Sequence, residues 1–488
     1  MTDEPAKYID EYFNVHVQDK TLGQGGQGVV FRTKIPDVAV KLATDASGNP
    51  INDETFREQN KKRLKRVQNL PVAGCNVALP VALLRDYAGY VMQLLSDMIP
   101  FGNFWADGKS LQKITDEDIP KWLEGNPKDT AKQLTFYCNT GGLKRRLIAL
   151  QQAAVNLARL HTNGLVYGDV SPNNVFISED ENYSDVWFID ADNLRFEKVS
   201  ESGIYTPHYG APELVQGKAG GSSRTDCHAF ATMAFWMLTM LHPFIGKKVD
   251  GEDSDWADTE PNSDFADLDE RAYAGYFPFI DDEDDDSNSC DGGFPRMLVL
   301  TEELKRICQR TFGDARTDFW KRPTMLQWAE VLANAVAKVV KCPNCRMSYY
   351  NDIQGDHCPY CDVSKPEMLI LESFQYNGIL TKRNVFAKEI TEKQIDVPLF
   401  IFMPFQLSQN NINGLHIHFD EKNMKIKTSN NVELSLAVTD ENSGQFKSLR
   451  KDTNYTLARK QLEKEVWLRT DNTVTSRLIR LTVQGGER

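Results

Sequence analysis

Two spacings of hydrophobic residues divide the chain into regions with different expected structure. Near the start, VVFRT and VAVKLA predict strands, and DETFREQNKKRLKRVQNL predicts a charged helix capped by Asp53. From about 366 onward, short alternating segments such as VPLFIFM, VELSLAV and EVWLRT predict a small β-sandwich or barrel. Between these regions, from about 105 to 340, apolar residues recur at helical spacing, as at Leu143, Leu147, Leu150, Ala154 and Leu157.

Length and composition indicate several domains and no membrane span. The chain has 488 residues, and its 41% hydrophobic content is enough for real cores. Its longest apolar stretch, residues 229–241, is too short to cross a bilayer and predicts a buried helix. MTDEPAKYID does not resemble a signal peptide, and the nine Cys include only one tight cluster, which fits a reducing compartment. We therefore expect a cytoplasmic protein.

The negative charge of the chain is concentrated in one segment. The net charge is −13, while the 17 acidic residues and one basic residue between Asp250 and Asp291 alone contribute −16. The acidity makes nonspecific binding of nucleic acid unfavourable. IDDEDDD in this segment is most simply a solvated, flexible loop, and a docking surface for basic partners is the alternative.

A glycine-rich turn near the N-terminus indicates a phosphate site. LGQGGQGVVF holds Gly23, Gly25 and Gly28 in G-x-G-x-x-G spacing, and glycines let backbone amides approach phosphates closely. The same spacing occurs in Rossmann turns, but a helix would follow there, whereas VVFRT predicts a strand. The Rossmann interpretation therefore fails on its context.

A lysine on the next strand extends this phosphate site. Lys41 in VAVK would place an ammonium group on the α- and β-phosphates. Such a cation needs a carboxylate beside it. Glu58 on the charged helix is the expected partner, and Glu54, one turn earlier, is the alternative.

Acidic and amide side chains in the middle of the chain carry the candidate chemistry. VYGDVSPNNVFI places Asp169 and Asn174 five positions apart, and Asp190 follows the apolar segment VWFI. The spacing fits the H-R-D-x-x-x-x-N loop of protein kinases, the G-D-x-x-x-x-N loop of small-molecule phosphotransferases, or simply a polar turn. TPHYGAPEL then supplies Glu213, and FWKRPT supplies Arg322.

In this order, the motifs resemble those of eukaryotic-like (Hanks-type) serine/threonine protein kinases of bacteria, over residues 15–338. The resemblance implies a bilobal protein-kinase fold and transfer of the γ-phosphoryl group of ATP. Asp169 would orient the attacking hydroxyl and accept its proton, Asn174 and Asp190 would hold Mg2+ or Mn2+, and Lys41 would position ATP. The further ATP-binding positions that it implies are Gly23, Gly25, Gly28, Val30, Ala39, Glu58, Met92, Gln93 and Leu95, with Met92 to Leu95 resembling the gatekeeper and hinge.

The same resemblance assigns a substrate loop and an ion pair. Thr206 and Tyr209 match G-T-x-x-Y-x-A-P-E, in which the Thr hydroxyl lies near Asp169 and leaves room for a Ser or Thr substrate. Glu213 and Arg322 would form a buried structural ion pair, which small-molecule phosphotransferases generally lack. Protein substrates are therefore expected, including this chain itself. The expected sites of autophosphorylation are Ser200, Ser202 and Thr206.

Three positions depart from the kinase pattern. The usual His-Arg before the base is Tyr167-Gly168, so activation through a phosphorylated loop loses its standard partner. Ser171 replaces a Lys that would help neutralise the transferred phosphoryl group. Asp192 replaces the last Gly of D-F-G; it tolerates a left-handed backbone more readily than most residues and would add an acidic group near the metal ions. Similar variants occur in bacterial kinases found with VWA-domain proteins and PP2C-type phosphatases, which are the implied partners.

Two C-x-x-C pairs predict a zinc site. Cys342, Cys345, Cys358 and Cys361 are spaced as in a tetrahedral Zn–S4 site, and they resemble a zinc ribbon. Four thiolates leave no open position, so the Zn2+ is expected to be structural. His357 adjoins the cluster but is redundant as a ligand.

The predicted architecture is α+β. A kinase N-lobe is expected over 1–95, a C-lobe over 96–338 with an acidic insertion at about 247–295, a zinc ribbon over 339–365, and a β-rich domain over 366–488. The β-rich domain carries no catalytic motif, so it is interpreted as a regulatory or targeting module. Two alternatives to a protein kinase remain: a small-molecule phosphotransferase, and a pseudokinase scaffold that acts through its zinc ribbon and β domain.

Overall fold

The structure is a computed structural model. It describes residues 5–25, 28–45, 47–198, 203–250, 267–376, 379–391, 393–420, 422–429, 434–439, 445–449, 453–459, 466–470 and 476–486. Ser200 and Ser202 of the predicted activation segment lie outside the described residues, as do residues 251–266 of the acidic insertion.

The N-terminal region is an antiparallel six-stranded sheet with one helix. In the sheet order β1-β2-β3-β4-β6-β5, the strands are β1 Lys7–Ile9, β2 Val15–Gly25, β3 Gly28–Thr33, β4 Val38–Leu42, β6 Gly89–Gln93 and β5 Pro80–Leu83. Helix α1, Glu54–Gln68, begins at Asp53, whose Oδ1 accepts from the backbone N–H of Phe56 at 2.7 Å, so the predicted cap is confirmed. Only Leu64 and Val67 of this helix are buried, which leaves its charged positions on the surface.

Helices dominate the middle of the chain. They are α2 Gly108–Gln112, α3 Lys128–Asn139, α4 Gly142–Thr162, α5 Pro212–Val215, α6 Ser223–Thr239, α7 Lys247–Asp250, α8 Leu268–Tyr273, α9 Arg296–Val299, α10 Glu302–Gln309 and α11 Met325–Lys338. Between them run the short strands β7 Met98–Pro100, β8 Leu165–Val166, β9 Val175–Ser178, β10 Val186–Phe188 and β11 Arg195–Phe196. Helices α4 and α6 form the centre of the core. The apolar residues of α6 are largely buried, as their sequence predicts.

The described part of the acidic insertion is packed, not free. Ile280 is buried, and Asp281 accepts from Arg296 Nε at 2.7 Å and from its Nη2 at 3.0 Å. Asn288 is also buried, and its amide donates to the carbonyls of Phe244 and Pro278. The expectation of a solvated loop over IDDEDDD thus fails at Ile280 and Asp281, which are buried or paired, whereas Glu283 to Asp286 are exposed as expected.

The cysteine cluster continues directly from α11. Strands β12 Val339–Lys341 and β13 Ser348–Tyr350 form a hairpin; the first cysteine turn connects the two strands, and the second follows the hairpin. Cys342, Cys345 and Cys358 share one hydrophobic core with the helical region. The phenol of Tyr350 donates to the carbonyl of Val299 at 2.9 Å, so the hairpin is joined to the helices.

The C-terminal region consists of two antiparallel sheets packed face to face. One has the order β15-β14-β23-β22-β19-β20, and the other β16-β17-β18-β21. The alternate residues of both sheets fill one shared apolar core, as expected for a β-sandwich. The strands are β14 Met368–Tyr376, β15 Leu380–Glu389, β16 Gln394–Pro398, β17 Asn413–Phe419, β18 Asn423–Thr428, β19 Leu436–Thr439, β20 Phe446–Ser448, β21 Tyr455–Ala458, β22 Val466–Thr470 and β23 Arg477–Gln484.

The sandwich rests on the helical region. Strand β15 packs on α11, and Arg159 of α4 donates to the carbonyl of Leu407 at 3.2 Å. Gln152 Nε2 donates to Asn411 Oδ1, also at 3.2 Å. Across the described helices, none has both the length and the apolar character needed to cross a bilayer.

Candidate active site

Lys41 lies at the centre of the N-terminal sheet, facing the catalytic loop. It is paired with Val30 on one side and with Tyr90 on the other. Its side chain is buried and its Nζ contacts the carboxylates of Asp190 and of Asp192, the latter at 3.0 Å. The strand therefore presents the lysine to two acidic residues that are about 150 positions away in the chain.

The predicted partner of Lys41 is not the one that the structure shows. Glu58 is exposed and lies 4.0 Å from Lys61 on its own helix, and Glu54 lies in the exposed first turn. The prediction that Glu58 or Glu54 holds the lysine is therefore wrong for this structure. The physical reason is the rotation of α1, which directs Arg63 instead of a glutamate toward the site.

Electrostatics around Lys41 favour its charged form. Burial acts to lower the pKa of Lys41, but the carboxylates of Asp192 and Asp190 outweigh burial and raise it. The pKa of Asp190 is raised mainly by burial, with Lys41 acting in the opposite direction. The three groups therefore form a cluster of ionisable side chains in which Lys41 and Asp192 are buried and Asp190 is 22% exposed.

The catalytic loop joins Asp169 to two polar partners. Asp169 Oδ1 accepts from the hydroxyl of Thr206 at 2.6 Å, and its Oδ2 accepts from Asn174 Nδ2 at 3.0 Å. The amide nitrogen of Asn174 also donates to the Asp169 carbonyl. Because the nitrogen makes both bonds, the Asn174 side-chain oxygen is the atom that suits a metal ion.

Asp226, in the first turn of α6, binds the backbone of the catalytic loop. Its two carboxylate oxygens accept from the N–H groups of Tyr167 at 2.8 Å and Gly168 at 2.9 Å. His161 Nε2 lies 3.1 Å from the same carboxylate. Burial acts to lower the pKa of His161, but the hydrogen bonds and electrostatic attraction of Asp226 and Cys227 together outweigh burial and raise the pKa to about 10.

The departure from His-Arg before the base has a structural reason. Gly168 has φ +84°, and a Cβ there would lie 2.8 Å from Nη1 of Arg195. The Arg195 guanidinium thus occupies the space beside the loop and donates to the Gly221 carbonyl at 2.9 Å. Tyr167 is buried, and its hydroxyl donates to the carbonyl of Ile189.

In the segment after β10, the backbone conformations of Asp190 and Asp192 differ from those that the sequence predicts. Asp190 has a left-handed backbone, with φ 55° and ψ 55°. Asp192, in the following short 3-10 turn, is not among the described residues with positive φ. The left-handed conformation foreseen for Asp192 thus belongs to Asp190, and it turns the Asp190 carboxylate toward Lys41.

The glycine-rich turn connects β2 to β3, with Gly25 opposite Gly28 in the register. A Cβ on Gly28, whose φ is +147°, would lie 2.1 Å from the Leu42 carbonyl, so this position requires glycine. A Cβ on Gly23 would have no described heavy atom within 4 Å.

The proposed adenine positions lie on neighbouring strands. Ala39 is buried and pairs with Met92, and Val38 pairs with Gln93. The Leu94 N–H donates to the backbone carbonyl of Asp37 at 2.8 Å, and Leu95 follows as the chain leaves the sheet.

The predicted substrate loop packs on α6. Tyr209 is buried and its ring stacks on Trp236 with 5.9 Å between ring centroids. Arg322 donates to both carboxylate oxygens of Glu213, at 2.8 and 3.1 Å, and both side chains are buried. The structure therefore brings these predicted pairs together, although their functional roles remain predictions.

The four cysteines converge on one point. Their sulfur atoms all lie within 4.8 Å of one another, with Cys342–Cys361 and Cys345–Cys358 at 3.7 Å. A tetrahedron with Zn–S bonds of about 2.3 Å has edges of about 3.8 Å, so the thiols fit this metal. The two turns are alike, since Arg346 and Asp362, each next to the second Cys of its pair, have left-handed φ values of 64° and 56°.

Sequence reasoning missed the contacts of Asp192 and Arg63. Arg63 Nη2 lies 3.8 Å from Asp192 Oδ2, and no local spacing links positions 129 residues apart. One signal was present: an acidic residue stood where the motif has glycine. The partners of Asp192 could be identified only from the way in which α1 packs on the segment after β10.

Comparisons with known proteins agree with the motifs in this cleft. Residues 143–308 match the family model of the protein kinase domain. Serine/threonine-protein kinase pkn2 of Myxococcus xanthus is 33% identical over 110 residues, which are 21% of this chain and 13% of that protein. Ribosomal protein S6 kinase alpha-3 of Homo sapiens is 32% identical over 237 residues, which are 47% of this chain and 27% of that protein.

The chain thus spans about a quarter or less of the length of these relatives. A solved structure of the ROP18 kinase domain in complex with AMP-PNP and sucrose aligns with 67% of this chain and 82% of that chain, at 17% identity and a TM-score of 0.41. The family match covers Asp169, Asn174 and Asp190, and it stops before the cysteine cluster and the sandwich. Residues 143–308 therefore match a protein kinase domain, and the relatives named above include a serine/threonine-protein kinase.

Proposed function

We propose that this chain is an ATP- and Mg2+-dependent protein kinase that phosphorylates Ser or Thr of protein substrates, including itself. One observation carries the proposal: Lys41 contacts Asp190, and the N–H of Ile189, next to Asp190, donates to the carbonyl of Asn174 in the loop that pairs Asn174 with Asp169. Three segments far apart in the chain thus bring these four residues together, and the two segments after residue 143 lie in the region that matches the protein kinase domain.

The residues present fit the groups that this reaction needs. The Asp190 carboxylate and the Asn174 side-chain oxygen are hard oxygen donors, the type that Mg2+ prefers. Lys41 supplies the cation for the phosphates of ATP, and the glycine turn supplies approachable backbone amides. Bound Mg2+ would neutralise charge on the phosphates during transfer.

The acceptor side of the cleft is built around Asp169. Its carboxylate would orient the substrate hydroxyl and take its proton, while Asn174 and Thr206 fix its two oxygens. The Thr206 contact closes the space beside Asp169 and favours a short Ser or Thr side chain over a phenol. The buried Glu213–Arg322 pair supports the loop that carries Thr206 and so favours a protein substrate over a metabolite.

We also propose that the cysteine cluster holds a structural Zn2+, which ties the sandwich to the kinase domain as a regulatory or targeting module. The sulfur spacing supports zinc, and the absence of a fifth donor among the described Cys, His and acidic groups near the cluster supports a structural role.

The test is incubation of the pure protein with labelled ATP and Mg2+, with and without a generic protein substrate, followed by phosphopeptide mapping. Phosphoserine or phosphothreonine is expected, with Asp169→Asn as the inactive control. Transfer only to a metabolite, only phosphotyrosine, or no phosphoprotein from a nucleotide-binding sample would contradict the proposal.

A further inference from the structure

The carboxylate beside Lys41 comes from the loop after β10 and not from the helix. Asp192 Oδ2 lies 3.0 Å from Lys41 Nζ, and both side chains are less than a tenth exposed. The same oxygen lies 3.8 Å from the guanidinium of Arg63 on α1. One buried anion therefore lies between a cation of the sheet and a cation of the helix.

The face of α1 that looks toward Lys41 carries no acidic residue. Phe56, Asn60 and Arg63 line a cavity of about 300 Å³ together with Lys41 and Asp192, and their spacing of four and three places them on one side of the helix. Glu58 belongs to another face and is 59% exposed. The polar groups on this face of the helix are therefore the amide of Asn60 and the guanidinium of Arg63.

Asp190 is unsuited to be the lasting partner of Lys41. In the proposed reaction its carboxylate holds Mg2+, and oxygen atoms bound to a metal are poorer partners for an ammonium group. Asp192 has no such competing role, and its second contact with Arg63 holds it in place. When nucleotide binds, Asp192 is the anion that remains to orient Lys41 toward the phosphates.

We propose that Asp192 is the positioning residue for Lys41 and that, through Arg63, it also fastens helix α1 to the catalytic loop. The sequence predicted that helix α1 would supply the carboxylate beside Lys41. In the structure the loop after β10 supplies that carboxylate, and the helix supplies a cation. This inference rests on the proposed function, because it assigns a role in the same ATP site.

The experiment compares Asp192→Asn, which keeps the shape and removes the charge, with Glu58→Gln and Glu54→Gln. Affinity for Mg2+·ATP is measured by calorimetry, and KM for ATP and kcat are measured separately. Loss of one charged partner from a buried pair is expected to weaken nucleotide binding and kcat/KM by about 10- to 100-fold, whereas both glutamate variants stay within about twofold of the wild type.

A charge relocation separates positioning from simple support of the fold. Asn60→Glu places a carboxylate on the helix face that shares the cavity with Lys41. The double variant Asn60→Glu/Asp192→Asn is expected to recover part of the lost affinity and kcat/KM. A double variant no better than Asp192→Asn would overturn the proposal, since the loss would then be a local structural one.

Two further outcomes would also overturn it. One is an equal loss of ATP affinity and kcat/KM in Glu58→Gln and Asp192→Asn. The other is an Asp192→Asn protein whose ATP affinity is restored by raising Mg2+ alone, which would make Asp192 a metal ligand. If the wild type binds Mg2+·ATP but phosphorylates no protein, the proposed function fails while the binding comparison still tests Asp192.

Discussion

The cysteine cluster and the catalytic cleft are both compact groups of polar side chains, but they are assembled in different ways. The four cysteines fall within 20 consecutive residues, on two turns with the same backbone conformation. The cleft joins Lys41 to Asp192, 151 positions later, and Asp169 to Thr206, 37 positions later. Local spacing therefore identifies all members of the first group, whereas the pairing inside the second depends on how whole elements pack.

A second difference concerns the surroundings of the two groups. The cysteine turns are short, yet their buried thiols belong to the core of the helical region. The proposed active site, in contrast, borders a cavity of about 300 Å³ that Lys41, Tyr90 and Asp192 help to line. The following experiments test this contrast between a locally encoded group and a remotely assembled one.

Removal of the metal is expected to have the largest effect on stability. Cys345→Ser, or chelation, should release one zinc per chain, at an apparent cost on the order of 10 kcal/mol for the ribbon, where binding and folding are coupled. Because the thiols share the helical core, the melting temperature of the kinase domain should also fall. Elemental analysis and calorimetry check this, with Cys75→Ser as the control outside the cluster.

Equal melting curves for the zinc-loaded and zinc-depleted proteins would show instead that the ribbon is a separate unit. Absence of zinc from gently purified protein would contradict the metal assignment itself.

In the cleft, Asp169→Asn and Lys41→Ala are each expected to abolish phosphoryl transfer, by about 100- to 10,000-fold or more, while the protein stays folded. The reason is that Asp169 would accept the proton and Lys41 would place the phosphates. Labelled-ATP assays and circular dichroism measure the two properties. His357→Ala, on an exposed residue outside the cleft, is the control, and near-normal transfer by either cleft variant would refute the assignment of that residue.

The Glu213–Arg322 pair tests whether a remote contact is needed for the fold. Glu213→Gln leaves a buried guanidinium without its charged partner, so the free energy of unfolding should fall by about 3–5 kcal/mol. Asp116→Asn, in the exposed pair with Lys128, should change it little. Denaturant titration measures the free energy of unfolding of both variants. Similar small losses in both would mean that burial does not make the Glu213–Arg322 pair more important than an exposed one.

The last expected effect is a dependence of stability on pH. Burial acts to lower the pKa of His161, but Asp226 and Cys227 together raise it from 6.5 to about 10. Its stabilising contribution should therefore be fully present below pH 6.5 and be lost as the pH rises through about 10. The difference in unfolding free energy between the wild type and His161→Gln should shrink over this range. A difference that does not change with pH would show that His161 is not charged.

The motifs predicted a large part of the site, for physical reasons that particular residues illustrate. Asp169 and Asn174 lie in one tight loop, so five positions of spacing nearly determine their contact. Glycine at 28 follows from backbone sterics, which is a local property. Glu58, in contrast, was chosen by analogy of position on a helix, and the structure places it on a solvent-exposed face of that helix.

The sequence by itself determined the chemistry available: the acid–amide pair, the lysine on a strand, four thiols at zinc spacing and the alternation that builds the sandwich. Only the tertiary structure decided that Asp192 meets Lys41 and Arg63, that Arg195 lies beside Gly168, and that the acidic insertion is anchored at Ile280 and Asn288. The physical reason is that backbone conformation and short spacings are local. Which charges share a buried space depends instead on the packing of elements far apart in the chain.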